Sequence, residues 1–327
     1  MPPPDAPTVS AVVPLFDERD NLPELYRRLT DTLADLGVDY ELVFVDDGST
    51  DGTGELLDAL ADNDDRVRVL HLSRNFGHQA ALTAGLDHAR GEAVVALDGD
   101  LQDPPEVIPE LLEKWREGFD VVYAVRTKRK EGLAKRFGYF AFYRLLRGVS
   151  DLPIPLDAGD FCLLDRRALD ALNGLPECDR FVRGLRSFVG FRQVGVTYER
   201  DARFAGTAKY TFRKLVGLAV NGLVNFSSFP VRAMGWLAGL LVLGGTATAA
   251  AIATGALTGG WAVVLTVALL LSGLQIGCAS LLGLYLVKIL AEVKRRPSYI
   301  VASEPIRSSV PRRAARRPAE EPAEVSG

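Results

Sequence analysis

Ala93-Val94-Val95-Ala96-Leu97-Asp98-Gly99-Asp100-Leu101-Gln102-Asp103-Pro104-Pro105 sets an apolar strand directly against a cluster of carboxylates. Five successive residues without a polar side chain read as a strand buried on both faces, and Asp-Gly-Asp reads as the turn that leaves it. Outward from this stretch the same beat recurs. Ser10 to Val13, Glu41 to Val45, Val67 to Leu72 and Asp120 to Val125 read as further strands. Leu22 to Leu36, Thr53 to Ala61, Gln79 to Ala89 and Pro105 to Trp115 read as the helices between them. Apolar strands alternating with helices predict an α/β domain with a mostly parallel sheet covered on both faces. Ligands of such sheets sit beyond the carboxyl ends of the strands.

Acidic residues gather at three of those ends. The first strand runs into Pro14-Leu15-Phe16-Asp17-Glu18, the second into Asp46-Asp47-Gly48-Ser49-Thr50-Asp51, and the fourth into Asp98-Gly99-Asp100-Leu101-Gln102-Asp103. Any one of these suits a turn or a helix cap. Three on one edge repel each other unless a cation or a donor-rich ligand lies between them. Asp98 and Asp100 reach toward one hard cation from a rigid base, and Gln102 adds a third oxygen. Mg2+ or Mn2+ prefers such donors and keeps positions open for phosphate, so the expected ligand is a diphosphate. Asp-x-Asp alone is a weak motif; its place at the end of this strand makes it informative.

Composition narrows the field. With 327 residues, 48% of them apolar, the chain has ample material for a core, which excludes a disordered protein or a disulfide-stapled miniprotein. A formal net charge of −4 argues against a general nucleic-acid binder. Three cysteines with no metal-finger spacing fit a reducing compartment. No cationic segment followed by an apolar run opens the chain, so the first domain is expected in the cytoplasm. Gly52-Thr53-Gly54 imitates a dinucleotide fingerprint, but Leu57 occupies the third glycine position, which excludes a dehydrogenase reading. His71, His78 and His88 read as packing or capping residues rather than metal ligands.

The 55 residues from Ala233 to Val287 contain no Asp, Glu, Lys or Arg. About 20 apolar residues cross about 30 Å of hydrocarbon, so two crossings fit, Val231 to Ala253 and Trp261 to Val287, joined by the Gly-rich turn 254–260. Arg232 precedes the pair, and Lys288, Lys294, Arg295 and Arg296 follow it, which predicts that both ends face the cytoplasm. Residues 209–230 combine Lys209, Arg213 and Lys214 with regularly spaced apolar residues, a stretch suited to the headgroup region. The expected organisation is a flexible N-terminus over 1–7, an α/β domain over 8–208, an interfacial amphipathic segment over 209–230, a transmembrane hairpin over 231–288, and a basic cytoplasmic tail without fixed structure over 289–327.

The succession Val13-Pro14-Leu15-Phe16-Asp17-Glu18, Val45-Asp46-Asp47-Gly48-Ser49-Thr50-Asp51, Leu72-Ser73-Arg74-Asn75-Phe76-Gly77-His78-Gln79, Leu97 to Pro105 and Asp157-Ala158-Gly159-Asp160-Phe161 resembles family 2 glycosyltransferases of the polyprenyl-phosphate type. That group includes dolichol-phosphate mannosyltransferase and bacterial undecaprenyl-phosphate glucosyltransferases. The likeness runs from about residue 8 to 290 and implies a GT-A domain anchored by a membrane hairpin. It implies that Pro14, Phe16, Glu18, Asp46 and Asp47 surround the nucleoside of a nucleotide-sugar donor, and that Asp98, Asp100 and Gln102 hold the metal and diphosphate. Arg203 and Lys209 match cations that close over the donor phosphates, Arg126 a cation near the acceptor phosphate, and Asp157 and Asp160 a catalytic acidic pair beside the sugar. Phe16-Asp17, Cys162 and Phe188 depart from the commoner Tyr-Asn, Arg and Trp.

The activity implied is inverting transfer of one hexose to a polyprenyl phosphate, such as undecaprenyl phosphate, at the bacterial inner membrane, by a homo-oligomer that is a tetramer in similar proteins. UDP-glucose is the first expected donor and GDP-mannose the second. A processive polysaccharide synthase lacks its Gln-x-x-Arg-Trp element here, and a non-catalytic scaffold does not account for the intact acidic and basic residues.

Overall fold

The computed structural model describes residues 7–126, 158–177, 180–199 and 261–303, with Trp236, Leu240 and Thr254. The chain opens with β1 (Val9–Leu15), α1 (Leu22–Asp35), β2 (Tyr40–Asp46), α2 (Thr53–Asn63), β3 (Val67–Leu72), α3 (His78–His88) and β4 (Ala93–Ala96). A 3-10 turn over Pro105–Val107 leads into α4 (Ile108–Arg116) and β5 (Val121–Arg126). Beyond these come β6 (Ala158–Asp165), α5 (Arg166–Asn173), α6 (Val182–Phe188), β7 (Gln193–Tyr198), α7 (Trp261–Lys294) and β8 (Val301–Ser303).

The eight strands form one sheet in the order β7-β5-β6-β4-β1-β2-β3-β8. β1 pairs in parallel with β2 on one side and β4 on the other, and β2 with β3, as the alternating sequence pattern predicts. Every residue of β1 and β2 is buried, the consequence of helices covering both faces. On one face Leu22, Leu25, Leu29 and Leu33 of α1 pack with Ile108, Leu111 and Leu112 of α4 against Val13, Leu42 and Phe44. The three- and four-residue spacing of those leucines places them on one helical stripe, and each contributes about 2 kcal/mol by burial. On the other face Leu82 and Leu86 of α3 and Leu169 and Leu172 of α5 pack against Val12, Val43 and Val94.

At the amino ends of the strands the buried polar groups are paired among themselves. Ser10 Oγ donates to Glu41 Oε1 at 2.6 Å and accepts from Gly91 N at 2.7 Å, while Arg68 Nη1 and Arg90 N also donate to the Glu41 carboxylate. The acidic clusters stand at the opposite, carboxyl ends of the strands, where ligands of such sheets bind.

Two features depart from the sequence expectation. β6 runs antiparallel between β4 and β5, so the sheet is mixed although mostly parallel. The segment after residue 289 was expected to lack fixed structure, yet α7 continues to Lys294 and β8 then pairs antiparallel with β3. Ser73 N donates to Ile300 O at 2.9 Å, and Tyr299 packs against the second core and donates from its hydroxyl to Asp87 Oδ2 at 2.9 Å. The physical reason is the exposed edge of β3: three more residues of strand cover it.

Over the second expected span the backbone forms the continuous 34-residue helix α7. Not all of its side chains are described, and taken over the described residues alone no helix is long and apolar enough to cross a membrane. Of the first span, Trp236 and Leu240 are described; both are helical and exposed. The segment 209–230 and residues 304–327 lie outside the described residues.

Candidate active site

The site begins where β1 and β2 end side by side, with Leu15 paired to Asp46. The loops that follow are knitted together. Asp17 N donates to Ser49 Oγ at 3.0 Å, Glu18 N to Thr53 Oγ1 at 3.1 Å, and Thr50 N to Asp17 Oδ1 at 2.8 Å. Pro14, Phe16, Glu18, Asp46 and Asp47, all expected around a nucleoside, thus fall in one neighbourhood. Glu18 also accepts from Asn21 Nδ2 at 2.5 Å.

Asp46 and Asp47 serve different partners. Asp46 accepts from Ser49 N at 2.9 Å and contacts His71 Nδ1 at 3.0 Å. Burial alone would raise its pKa, but these hydrogen bonds outweigh that and hold it below the usual carboxylate range. His71 in turn meets Asp58 Oδ1 at 3.0 Å, and between two carboxylates its imidazole is pushed up to about 9. Asp47 accepts from Phe76 N at 2.7 Å and Gly77 N at 2.9 Å, which fixes the entry to α3. Its pKa is raised by burial despite those two donors.

On the other side of β1, the turn after β4 carries Asp98, Gly99 and Asp100. A Cβ on Gly99 would run into Leu15 Cδ2 and lie 3.3 Å from Pro14 O, so any side chain here forces Leu15 to move where the turn closes onto the end of β1. Asp100 is buried and accepts from Gln102 N at 3.1 Å, a bond that draws Gln102 back over the turn. Leu101 between them has a positive φ of 58°.

The antiparallel β6 brings in Asp160. Ala93 pairs with Asp165 and Ala96 with Cys162, and the same register carried two residues further sets Asp160 opposite Asp98. His78, at the start of α3, places Nε2 3.4 Å from Asp98 Oδ1 and 3.4 Å from Asp160 Oδ2. Gln79 Nε2 donates to Asp160 Oδ2 at 3.1 Å and Arg183 Nε to Asp160 Oδ1 at 3.3 Å. Burial works against the Asp160 carboxylate, but Arg183 and His78 outweigh it and hold its pKa well below the usual range. Burial, only partly offset by His78, pushes Asp98 the other way, helped by Asp103, Asp160 and Asp100. His78 rises to about 9 because the two carboxylates overcome its own burial.

This cluster fits a divalent cation. Ligand atoms of His78, Asp98 and Asp160 lie within 4.8 Å of one another, and Asp98 Oδ1 is a buried oxygen that accepts no hydrogen bond. Two carboxylates and an imidazole, with Asp100 and Gln102 in the adjoining turn, are donors that Mn2+ or a similar ion accepts. His78 was expected to pack or cap; its Nε2 instead faces the Asp98 and Asp160 carboxylates, a placement that a histidine at a helix start does not announce, because an antiparallel strand brings Asp160 to it. His88 does bond locally, through Nδ1 to Ala84 O at 2.8 Å.

Arg126 ends β5 beside Gly159, contacting Asp103 Oδ2 through Nη2 at 3.4 Å and donating from Nε to the Tyr198 hydroxyl at 3.1 Å. Asp103 belongs to the acidic cluster expected after the fourth strand, though with no role of its own assigned; Tyr198 was not expected at the site. Asp157, Arg203 and Lys209 lie outside the described residues.

A glycosyl transferase family 2 model matches residues 10–172. An uncharacterised glycosyltransferase of Bacillus subtilis strain 168, YkcC, is 44% identical over 299 residues, which span 89% of this chain and 92% of that protein. The chain belongs to glycosyltransferase family 2. Its architecture is the GT-A fold of that family, and it is a glycosyltransferase. The SfII prophage-derived bactoprenol glucosyl transferase of Shigella flexneri is 39% identical over 300 residues, 90% of this chain and 97% of that one. Among solved structures, the mannosyltransferase PcManGT of Pyrobaculum calidifontis, in complex with GDP-Man and Mn2+, superposes with a TM-score of 0.45 at 20% identity, covering 90% of this chain and 89% of its own. That likeness is too loose to bear on the site.

Proposed function

We propose that this family 2 enzyme moves one glucose from UDP-glucose to a polyprenyl phosphate at the cytoplasmic face of the bacterial inner membrane. The observation that carries the reading is the convergence of Asp98, Asp160 and His78 within 4.8 Å at the strand ends, near the loops Pro14 to Glu18 and Asp46 to Asp51. A nucleoside bound at those loops would direct its diphosphate along the edge of β1 to Asp98. The naming of the Shigella relative, which shares 39% identity over 90% of this chain, supports a lipid phosphate acceptor and a glucosyl donor.

Asp98, Asp100 and Gln102, with His78 and Asp160 at hand, would hold Mg2+ or Mn2+. A divalent ion there supplies positive charge to the departing nucleoside diphosphate. The remaining work belongs to the chain itself. A lipid phosphate monoester already carries about −1.5 to −2 charge near neutrality, so it attacks the anomeric carbon without a strong base. Asp160 suits that chemistry: held anionic by Arg183, it is a poor proton acceptor and a good fixed partner for sugar hydroxyls. Attack from the Arg126 side and departure toward Asp98 give inversion. Asp157, Arg203 and Lys209 complete the proposal as an acidic partner and as phosphate cations.

The membrane assignment rests on α7 and the segment before it. At 1.5 Å per residue its 34 residues extend about 51 Å, longer than about 30 Å of hydrocarbon. Leu271, Leu282, Leu286, Val287 and Leu290 are all exposed, and a helix with leucine and valine on successive faces and no charge from Trp261 to Val287 suits lipid. Strand β8, directly after this helix, would tie the catalytic domain close to the bilayer. Incubating the purified protein with undecaprenyl phosphate and either UDP-glucose or GDP-mannose tests the donor. Product from UDP-glucose supports the reading; product from GDP-mannose alone contradicts it.

A further inference from the structure

Asp103 is the most deeply buried carboxylate near the site, at 0% exposure, and it lies outside the Asp98-Gly99-Asp100 turn. Its oxygens meet residues from two distant strands: Arg126 Nη2, 3.4 Å away at the end of β5, and the Tyr198 hydroxyl at the end of β7, which donates to Asp103 Oδ1. Arg126 and Tyr198 are themselves paired in register across β5 and β7, and Arg126 Nε closes the triangle onto the Tyr198 oxygen. Phe161 of β6 packs edge-on against the Tyr198 ring, centroids 5.8 Å apart, which restrains the phenol from tilting.

The neighbouring backbone is shaped to the same end. A Cβ on Gly159 would lie 2.8 Å from Arg126 Nη2, so the guanidinium rests on a residue without a side chain, next to Asp160. The Arg126 side chain keeps 23% of its surface exposed while Asp103 has none. A planar five-donor fork is thus anchored from behind by a buried carboxylate and a phenol and directed at the rim. With its charge matched by Asp103, Arg126 serves an anion through directed hydrogen bonds more than through net charge.

We propose that Asp103 and Tyr198 are positioning residues that hold the Arg126 guanidinium in the orientation in which it receives the acceptor phosphate. This rests on the reading of Arg126 as the acceptor-phosphate cation, and it adds the two residues that orient it.

The test is steady-state kinetics of the full-length protein with undecaprenyl phosphate and UDP-glucose varied in turn. Asp103→Asn and Tyr198→Phe are expected to raise KM for the lipid about 10-fold and to leave KM for the donor within about twofold. Arg126→Ala should have the larger effect on the same constant. In the double variant Arg126→Ala/Asp103→Asn the second change should add nothing, because its target is gone. A merely structural role would lower the melting temperature without separating the two KM values. Should Asp103→Asn fail to fold, Tyr198→Phe, which removes one hydroxyl, carries the test. If Arg126→Ala raises the lipid KM while Tyr198→Phe and a folded Asp103→Asn do not, the positioning proposal is overturned and the reading of Arg126 stands. If Arg126→Ala leaves the lipid KM unchanged, both fall.

Discussion

One imidazole nitrogen of His78 lies 3.4 Å from a carboxylate oxygen of Asp98 and 3.4 Å from one of Asp160, the two aspartates standing just beyond the last pair of the β4–β6 ladder, Ala96 with Cys162. A half-buried and a buried carboxylate so placed favour a cation between them. Arg183 and His78 supply part of that charge, and they favour Asp160 over Asp98. The division leaves Asp98 Oδ1 as the buried oxygen that accepts no hydrogen bond, a position that a metal ion would fill.

Replacing Asp98 by Asn keeps the shape and removes the charge. The expected loss in kcat is about 100- to 1,000-fold, the scale for deleting one electrostatic element of a transition-state clamp. Mn2+ binding followed by electron paramagnetic resonance should weaken in parallel. Unchanged Mn2+ affinity in Asp98→Asn would place the metal elsewhere.

Gly99→Ala probes the close approach of the turn to β1. The added methyl meets Leu15 and the Pro14 carbonyl, so the turn or the strand end must shift. Overpacking of this kind costs about 1–3 kcal/mol. A lower melting temperature together with a raised donor KM is expected, since Pro14 borders the nucleoside pocket; a variant that melts and turns over like the parent protein argues against the contact.

How far these residues could be found without coordinates depended on direction of pairing. The parallel part of the sheet was legible because Val9 to Leu15 and Tyr40 to Asp46 are buried at every position and leave an unbroken apolar signature. The carboxylates at those strand ends followed from the rule for parallel sheets. β6 was not legible as a strand, because Ala158, Gly159 and Asp160 open it with weak strand formers. With β6 missed, nothing brought His78 to Asp160 or Arg126 over Gly159. Asp103 was legible as a carboxylate of the fourth-strand cluster, but Tyr198 was hidden, because it reaches Arg126 only through the parallel register of β5 and β7, far apart in the chain. β8 is three residues long, too short for a periodic signal, and only the vacant edge of β3 explains it.

His71 makes stability depend on pH. Its pKa is raised to about 9 in the folded protein, chiefly by Asp46 and also by Asp58, against about 6.5 when unfolded. A raised folded-state value means the stabilisation is fully present below about pH 6.5 and is lost as pH climbs through about 9. The contribution is at most about 3 kcal/mol. Thermal unfolding of the protein and of His71→Gln should therefore differ most near pH 6 and converge near pH 10; a constant gap across that range contradicts the assignment.

Ending the chain after Ser298 removes Tyr299 and β8. The lost hydrogen bonds from Ser73 and to Asp87, with the Tyr299 contact to the core, correspond to about 2 kcal/mol. The melting temperature should fall by roughly 4–8 °C. No change would mean that the strand contributes nothing to the sheet it joins.

The central claim is metal-assisted transfer of a single sugar to a lipid phosphate. Membranes containing the protein, given labelled UDP-glucose, undecaprenyl phosphate and Mn2+ or Mg2+, should yield one labelled lipid carrying one sugar, and a chelator should abolish it. A polymeric product, or full formation of the glycolipid with all divalent ions chelated, would contradict the account.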